Sequence, residues 1–104
     1  MIGEALRLIR VFHDTSLTEM AKSLDVSVSY LSEIENEKRN PNLDVINRYA
    51  THFKIRPSAI LYFSEEIDKT SVSGKAKSAA REKIFKLMQA IEKYGRGKES
   101  HNEL

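Results

Sequence analysis

One stretch decides the fold of this 104-residue chain: residues 20–41, with the sequence MAKSLDVSVSYLSEIENEKRNP. It predicts a short helix, a tight break and a second helix that begins after Ser27, a natural N-cap. Leu31 and Ile34 are three residues apart and mark the buried side of the second helix. The polar residues that follow, up to Pro41, are predicted to form a loop, because the residue before a proline disfavours helical geometry. Two short helices joined by a turn are therefore expected here.

Further helices are predicted on both sides of this pair. Residues 2–13 place apolar side chains at helical spacing, and a capping box from Ser16 to Glu19 begins the next helix. Asn42 caps a fourth helix, and Pro57 suits the first turn of a short fifth helix. No strand pattern stands out, so we expect an all-α protein.

Changes in polarity along the chain predict its domain organisation. Residues 1–63 form the five-helix domain, and residues 64–74 are polar enough to be a linker. Apolar residues recur every three or four positions over residues 75–95, which predicts a sixth, amphipathic helix. Residues 96–104 are expected to be a disordered tail. A chain of this length has room for one compact domain and one additional element.

Composition and charge restrict the functional classes. The longest apolar run, residues 59–63, is far too short to span a bilayer, and nothing near the N-terminus resembles a signal peptide. The chain has no cysteine, which fits a reducing cytoplasm, so we expect a cytoplasmic protein without membrane contact. The net charge is only +2, but residues 75–98 alone carry +6. That basic segment either attracts a polyanion or is the solvated face of a helix.

Catalytic and metal-binding chemistry is not expected. The three histidines are scattered and no cysteine accompanies them, so no metal site is predicted. Glu33, Glu35 and Glu37 alternate along a helix, where a two-residue step turns a side chain through about 200°. They do not form a paired-carboxylate site, and the glycines form no phosphate-cradling loop. We therefore expect no enzyme activity and no cofactor.

Residues 20–41 closely resemble the core of the XRE family of helix-turn-helix regulators, which includes the lambdoid phage repressors and Cro proteins. The resemblance extends over residues 2–63 and implies a five-helix, lambda-repressor-like domain that places its third helix in the major groove of double-stranded DNA. Three positions depart from the family pattern. Leu17 stands where many members have a glutamine, and Asp25 and Glu37 each replace a common glycine.

The resemblance and helical geometry together predict the DNA contacts. With Leu31 pointing inward, the opposite face of the third helix points outward, at about 100° per residue. Its outer and flanking residues include a methyl-bearing side chain for thymine, two hydroxyls and a carboxylate that can accept from cytosine N4. The predicted base contacts are Val28, Ser29, Ser32 and Glu33. The predicted DNA backbone contacts are Leu17, Ser27, Tyr30, Lys38, Arg39 and Leu43.

Two further sets of residues have predicted roles. By resemblance to the family, Arg10 and Glu35 form a partly buried ion pair that ties helix one to helix three. Regulators of this type bind two half-sites as dimers, so we expect a homodimer on a palindromic operator, acting as a repressor. The alternative is a regulator of the antitoxin type, whose sixth helix docks on a second protein. The predicted dimer or partner contacts are Ile60, Phe63, Ile84, Leu87, Met88 and Ile91.

Overall fold

The computed structural model describes residues 1–70 and 77–94, and all regular structure in these ranges is helical. The all-α prediction is therefore confirmed, with five helices followed by a further C-terminal one. The helices are α1 (Ile2–Phe12), α2 (Leu17–Leu24), α3 (Val28–Glu35), α4 (Leu43–Phe53), α5 (Pro57–Thr70) and α6 (Lys77–Tyr94). None of the described helices is long and apolar enough to cross a bilayer.

Side-chain caps fix the starts of three helices. At α2 the Ser16 hydroxyl accepts from the Glu19 N–H at 3.1 Å, and the Glu19 carboxylate accepts from the Ser16 N–H at 3.0 Å. The backbone bond from Ser16 holds the pKa of Glu19 below its usual value. Ser27 and Asn42 each accept from the N–H three residues on, at 3.0 and 2.9 Å. These caps satisfy N–H groups that the helices themselves leave unbonded.

Within the described residues, one apolar core lies between the first five helices. Its fully buried large side chains come from five of the six helices, so each of these helices contributes one apolar side to the same interior. They are Leu6, Ile9, Met20, Leu31, Ile34, Tyr49, Ile60 and Phe63. Burial of such side chains supplies about 1.5–3 kcal/mol each and sets the positions of the helix axes.

Four helices end on a residue with left-handed backbone geometry, and none of these residues is glycine. Asp14, Asp25, Glu37 and Lys54 have φ between 55 and 66°. At the end of α3 the Glu37 N–H donates to the Ile34 carbonyl at 3.2 Å, and the next N–H donates to the Glu33 carbonyl at 2.8 Å. This is the hydrogen-bond pattern of a Schellman motif. The fold therefore tolerates a backbone conformation that costs a non-glycine residue about 1–2 kcal/mol.

Glu37 has a second role that the sequence pattern did not indicate. Its carboxylate accepts from the Glu4 N–H at 2.9 Å and so caps the start of α1, where the negative charge suits the helix dipole. The two elements approach so closely that a Cβ at Gly3 would lie 2.2 Å from the Ile34 carbonyl oxygen. Only glycine fits at that position.

The linker predicted to begin at residue 64 is wrong for residues 64–70, because α5 continues to Thr70. Ser64 and Ile67 are buried and extend the apolar side of α5 by one turn. Lys69 donates to the Glu66 carboxylate at 3.1 Å. The exposed polar residues of this segment thus form one face of a longer helix. Residues 71–74 lie outside the described residues.

Helix α6 falls inside the predicted range of 75–95 and folds back onto its own domain. Met88 is buried in the core, and the Phe85 ring lies 6.0 Å from that of Phe12 in α1. Nε2 of His13 lies 2.5 Å from a carboxylate oxygen of Glu92. The predicted tail over residues 96–104 lies outside the described residues.

The structure corrects half of the predicted dimer or partner contacts. Ile60, Phe63 and Met88 are at most 3% exposed, because the apolar sides of α5 and α6 face the core of the same chain. Their side chains are therefore not accessible to a partner, and the prediction is wrong for these three residues. Leu87 is half-buried against the core. The side chains of Ile84 and Ile91 lie outside the described residues.

Candidate nucleic-acid interface

The first turn of α3 presents two of the predicted base-contact residues to solvent. Val28 is 42% exposed, although it is a large apolar residue, and Ser29 beside it is exposed. Ser27 precedes them as the N-cap, where its hydroxyl already accepts the Tyr30 N–H. The outer surface of this turn thus combines one methyl-bearing side chain with one hydroxyl that is accessible to solvent.

One turn later, Ser32 is less accessible than Ser29. Its hydroxyl accepts from the Asn36 side-chain amide at 3.2 Å, and the same amide donates to the Ser32 carbonyl at 2.9 Å. Ser32 is half-buried. The structure therefore places this predicted contact on the outer side of α3 but bonds it within the helix.

Three of the other predicted contact residues form one cluster, two of them in α3 and one just past its end. The Arg39 Nε donates to a Glu33 carboxylate oxygen at 3.0 Å. The guanidinium carbon of Arg39 lies 5.3 Å from the centre of the Tyr30 ring, a distance typical of a cation–π contact. Sequence reasoning gave these residues separate roles, two on the DNA backbone and one on a base. In the structure, Arg39 contacts the side chains of both Glu33 and Tyr30.

The N-termini of α2 and α4 lie at Leu17 and Leu43, as the phosphate-contact prediction requires. The first N–H of a helix has no acceptor within that helix, so both backbone donors are available to an anion. The Leu43 side chain is 72% exposed, whereas Leu17 packs partly against the core. Lys38 is exposed just past α3.

A buried polar network holds α3 in position. The Glu35 carboxylate, 3% exposed, accepts from Arg10 Nη2 at 2.8 Å and Arg10 Nε at 2.9 Å, and from the Tyr49 hydroxyl at 2.6 Å. Arg10 also donates to the Thr15 carbonyl at 2.8 Å. The ion pair that the resemblance implied is thus present, with an additional member from α4. These bonds connect α3 to both α1 and α4.

The network raises the pKa values of Arg10 and Tyr49. Hydrogen bonding to Glu35 raises the pKa of Arg10 above its already high value. Burial raises the pKa of Tyr49 strongly, and the bond to Glu35 adds to that effect. Tyr49 therefore stays a neutral donor. Helical periodicity places Tyr49 only on the apolar side of α4, because periodicity does not identify the partner of a hydroxyl.

Arg48 is a second residue whose role the sequence did not indicate. It donates from Nη1 to the Leu24 carbonyl at the end of α2, and its Nε lies 3.0 Å from the Asp44 carboxylate. The bond to Leu24 fixes the first helix of the pair against α4. Only the spacing of four between Asp44 and Arg48 was visible in the sequence, and it indicated a helical ion pair at most.

Ion pairing engages half of the basic side chains of residues 1–63, so a carboxylate partly offsets their charge. Arg7, Arg10, Arg39 and Arg48 each contact a carboxylate within 3.3 Å. Within the described residues, Lys22, Lys38, Lys54 and Arg56 are left without an ion pair. Among residues 1–70 and 77–94, no group of three or more histidine or acidic side chains is placed to hold a metal ion. The domain therefore offers few free cations for phosphate.

The arrangement defines a class of protein. Two short helices, α2 and α3, meet at a tight turn. A buried polar network fixes α3, and the first turn of α3 exposes its outer side chains to solvent. That is the architecture of a helix-turn-helix protein. A family model described as Helix-turn-helix matches residues 6–60, and the chain belongs to that family.

Two curated relatives are similar to parts of this chain. The "Transcriptional regulator ClgR" of Mycobacterium tuberculosis is 31% identical over 61 residues, which cover 59% of this chain and 54% of that protein. The "Immunity repressor protein" of Bacillus phage phi105 is 28% identical over 92 residues, covering 88% of this chain and 62% of that protein. This chain therefore spans little more than half the length of the relatives it matches. No solved structure matches the chain significantly.

Proposed function

We propose that this protein is a sequence-specific DNA-binding regulator of transcription and acts as a dimeric repressor on a palindromic operator. The single observation that carries the proposal is the exposed first turn of α3, with Val28 and Ser29 on a helix that is fixed to α1 and α4. A base-reading helix needs an accessible outer face and a rigid inner one. Membership in the helix-turn-helix family and the names of the two relatives support the same function.

The accessible predicted contacts outside the Glu33–Arg39–Tyr30 cluster have specific roles in this proposal. Val28 contacts a thymine methyl, and Ser29 exchanges a hydrogen bond with a neighbouring base edge. The N–H groups of Leu17 and Leu43, together with Lys38, hold phosphates on either side of the groove. Ser32 contributes only if its bond with Asn36 opens. Because few cations are free, we expect a shallow dependence of affinity on salt.

Dimerisation is proposed through the outer side of α5. Leu61 and Tyr62 are 40% and 54% exposed, and they are adjacent apolar and aromatic residues on one helix. They replace the buried Ile60 and Phe63 as the expected contacts between subunits. An isologous contact of this kind places two α3 helices on half-sites about 10 base pairs apart, centre to centre.

The packing of α6 favours a phage-type repressor over the alternative antitoxin-type regulator. A segment that folds on a second protein is expected to be free in the isolated chain. Here Met88 is buried in the chain's own core, and His13 contacts Glu92. A match of 92 residues in a chain of 104 must also include residues 13–92, so the similarity to the phage repressor includes most of α6. We propose a cytoplasmic protein that associates with the nucleoid through DNA.

A selection experiment tests the proposal. The protein is incubated with a library of random-sequence duplexes, and the bound DNA is recovered and sequenced over several rounds. We expect one enriched motif with inverted repeats. Analytical ultracentrifugation with the enriched duplex should give two chains per duplex. No enrichment over the starting library would contradict sequence-specific binding, and one chain per duplex would contradict the dimer.

Matched variants locate the dimer surface. Leu61→Lys should bind a full enriched site more weakly than the wild type, yet bind a single half-site equally well. Val11→Lys alters a similarly exposed apolar residue of α1, outside the proposed dimer and DNA contacts, and it should leave two chains per duplex. Equal full-site affinity for Leu61→Lys and the wild type would remove α5 as the subunit contact.

A further inference from the structure

We propose that Glu33 is a positioning residue: it orients Arg39 so that the remaining guanidinium donors hold a DNA phosphate. This inference rests on the function proposed above and deepens it. It replaces the base contact with cytosine that the helical pattern suggested for Glu33. The observation behind it is the cluster of Glu33, Arg39 and Tyr30 on the outer side of α3.

The geometry of the ion pair leaves most of the Arg39 fork available. A guanidinium carries five N–H donors, and the contact with Glu33 uses the one on Nε. Binding through Nε fixes the plane of the group while its two terminal nitrogens remain free to donate as a pair. Paired donation is the arrangement with which arginine recognises phosphate oxygens.

Two further contacts restrict the position of Arg39. The Tyr30 ring lies under its guanidinium, with the ring centre 5.3 Å from the central carbon. The backbone leading to Arg39 is anchored to Glu33 as well, because the Lys38 N–H donates to the Glu33 carbonyl at 2.8 Å. Glu33 thus restricts Arg39 in two ways. Its carboxylate accepts from the Arg39 side chain, and its carbonyl accepts from the N–H of the residue before Arg39.

Exposure distinguishes this pair from the structural pair in the core. The side chains of Arg39 and Glu33 are 53% and 46% exposed, whereas those of Arg10 and Glu35 are 12% and 3% exposed. An exposed ion pair contributes little to folding, so stability does not explain this one. An ordered arginine on a DNA-facing surface does have an advantage, because less side-chain freedom is lost on binding.

The same pairing makes Glu33 a poor base reader. A carboxylate beside DNA is repelled by phosphates unless a cation or a cytosine amino group compensates its charge. Arg39 supplies that compensation within the protein. If Glu33 turned to a base, Arg39 would lose the partner that orients it. The cluster of Glu33, Arg39 and Tyr30 therefore contacts the DNA backbone and not a base.

The test compares two variants that make the same change in charge. Glu33→Ala and Glu33→Gln both remove the carboxylate, but glutamine keeps an oxygen that can accept from Arg39 Nε. Fluorescence anisotropy then measures binding to the duplex enriched by the wild type, and to a set of duplexes with each base pair substituted in turn. We expect Glu33→Ala to bind about 3–10-fold more weakly than Glu33→Gln, by the same factor on every duplex.

The Arg39→Ala background completes the test. There, Glu33→Ala and Glu33→Gln should bind equally, and the slope of log affinity against log salt should fall by about one. Thermal unfolding of each variant should match that of the wild type. Equal binding of the two Glu33 variants with Arg39 present would overturn the inference, as would a difference confined to one base pair. If the wild type itself does not prefer its enriched duplex, the proposed function fails instead.

Discussion

The two sides of α3 differ in how their polar groups are bonded. On the inner side, the Glu35 carboxylate accepts hydrogen bonds from Arg10 and Tyr49, and α1 and α4 cover it. On the outer side, Val28 and Ser29 are exposed, and Glu33 makes an ion pair that solvent can reach. A helix that reads DNA needs both sides, because the inner one fixes the geometry with which the outer one meets the bases.

The same residue type has different effects within one turn of α3. Glu33 and Glu35 are two residues apart, and each pairs with an arginine. Removing a buried charge's partner leaves an uncompensated charge in the interior, whereas removing an exposed one leaves a solvated charge. We therefore expect inner substitutions to change stability and outer ones to change DNA binding.

The largest effect is expected from Arg10→Ala, which leaves Glu35 buried with only Tyr49 as a partner. We expect the free energy of unfolding to fall by roughly 3 kcal/mol, the lower end of the range for a broken buried pair, because Arg10 is not fully buried. Urea unfolding measures it. Arg7→Ala, which breaks the exposed pair with Glu4, should change stability by less than about 1 kcal/mol. Equal losses for the two variants would contradict the comparison.

The next effect concerns the hydroxyl of Tyr49. Tyr49→Phe removes a hydrogen bond to a charged group, and such bonds contribute about 1.5–3 kcal/mol. The pKa of Tyr49 is raised in the folded state, so its contribution to stability is complete below the ordinary value of 10.0. It is lost as the pH rises above that value, since only the unfolded chain then releases the proton.

Urea unfolding between neutral and alkaline pH tests this. The wild type should lose stability more steeply above pH 10 than Tyr49→Phe does. Tyr62→Phe alters an exposed tyrosine and should keep the alkaline slope of the wild type. An alkaline slope that is unchanged in Tyr49→Phe would show that the buried hydroxyl is not its source.

The smallest effects are expected where helices end on left-handed residues. Lys54→Gly relieves that geometry at the end of α4, and we expect a gain of about 0.5–1 kcal/mol. Glu37→Gly relieves the same geometry but removes the carboxylate that caps α1, so its gain should be smaller or absent. Thermal unfolding distinguishes them. A larger gain from Glu37→Gly would mean that the bond to Glu4 contributes nothing.

Local patterns predicted the fold because its signals lie within a few residues of each other. Ser16 and Ser27 each cap the helix that follows by accepting from the N–H three residues ahead. Leu31 and Ile34 define one side of α3. The end of α5 was predicted too early, because polar residues on a solvated helix face resemble those of a linker. Helix periodicity gives the side of the helix on which a residue lies, but not its accessibility after packing, so it predicts partner contacts for Ile60 and Phe63 that the fold buries.

The candidate site was predictable in position but not in its internal bonding. Helical geometry places Ser29 outward and Val28 on the flank of α3, and the structure exposes both. The pairing of Glu33 with Arg39 and the cap that Glu37 provides for Glu4 join residues that no local pattern relates. Such contacts depend on the path of the chain after α3 and on the approach of α1.

Base reading by α3 can be tested directly by comparing the DNA sequences that the wild type and Ser29→Arg select from the same random duplex library. Arginine prefers guanine in the major groove, whereas a serine hydroxyl tolerates several base edges. Both proteins should unfold at the same temperature, since Ser29 is exposed. We predict the same inverted-repeat motif for both, except at one position of each half-site, where the variant selects guanine. Identical motifs would contradict base reading by the outer side of α3.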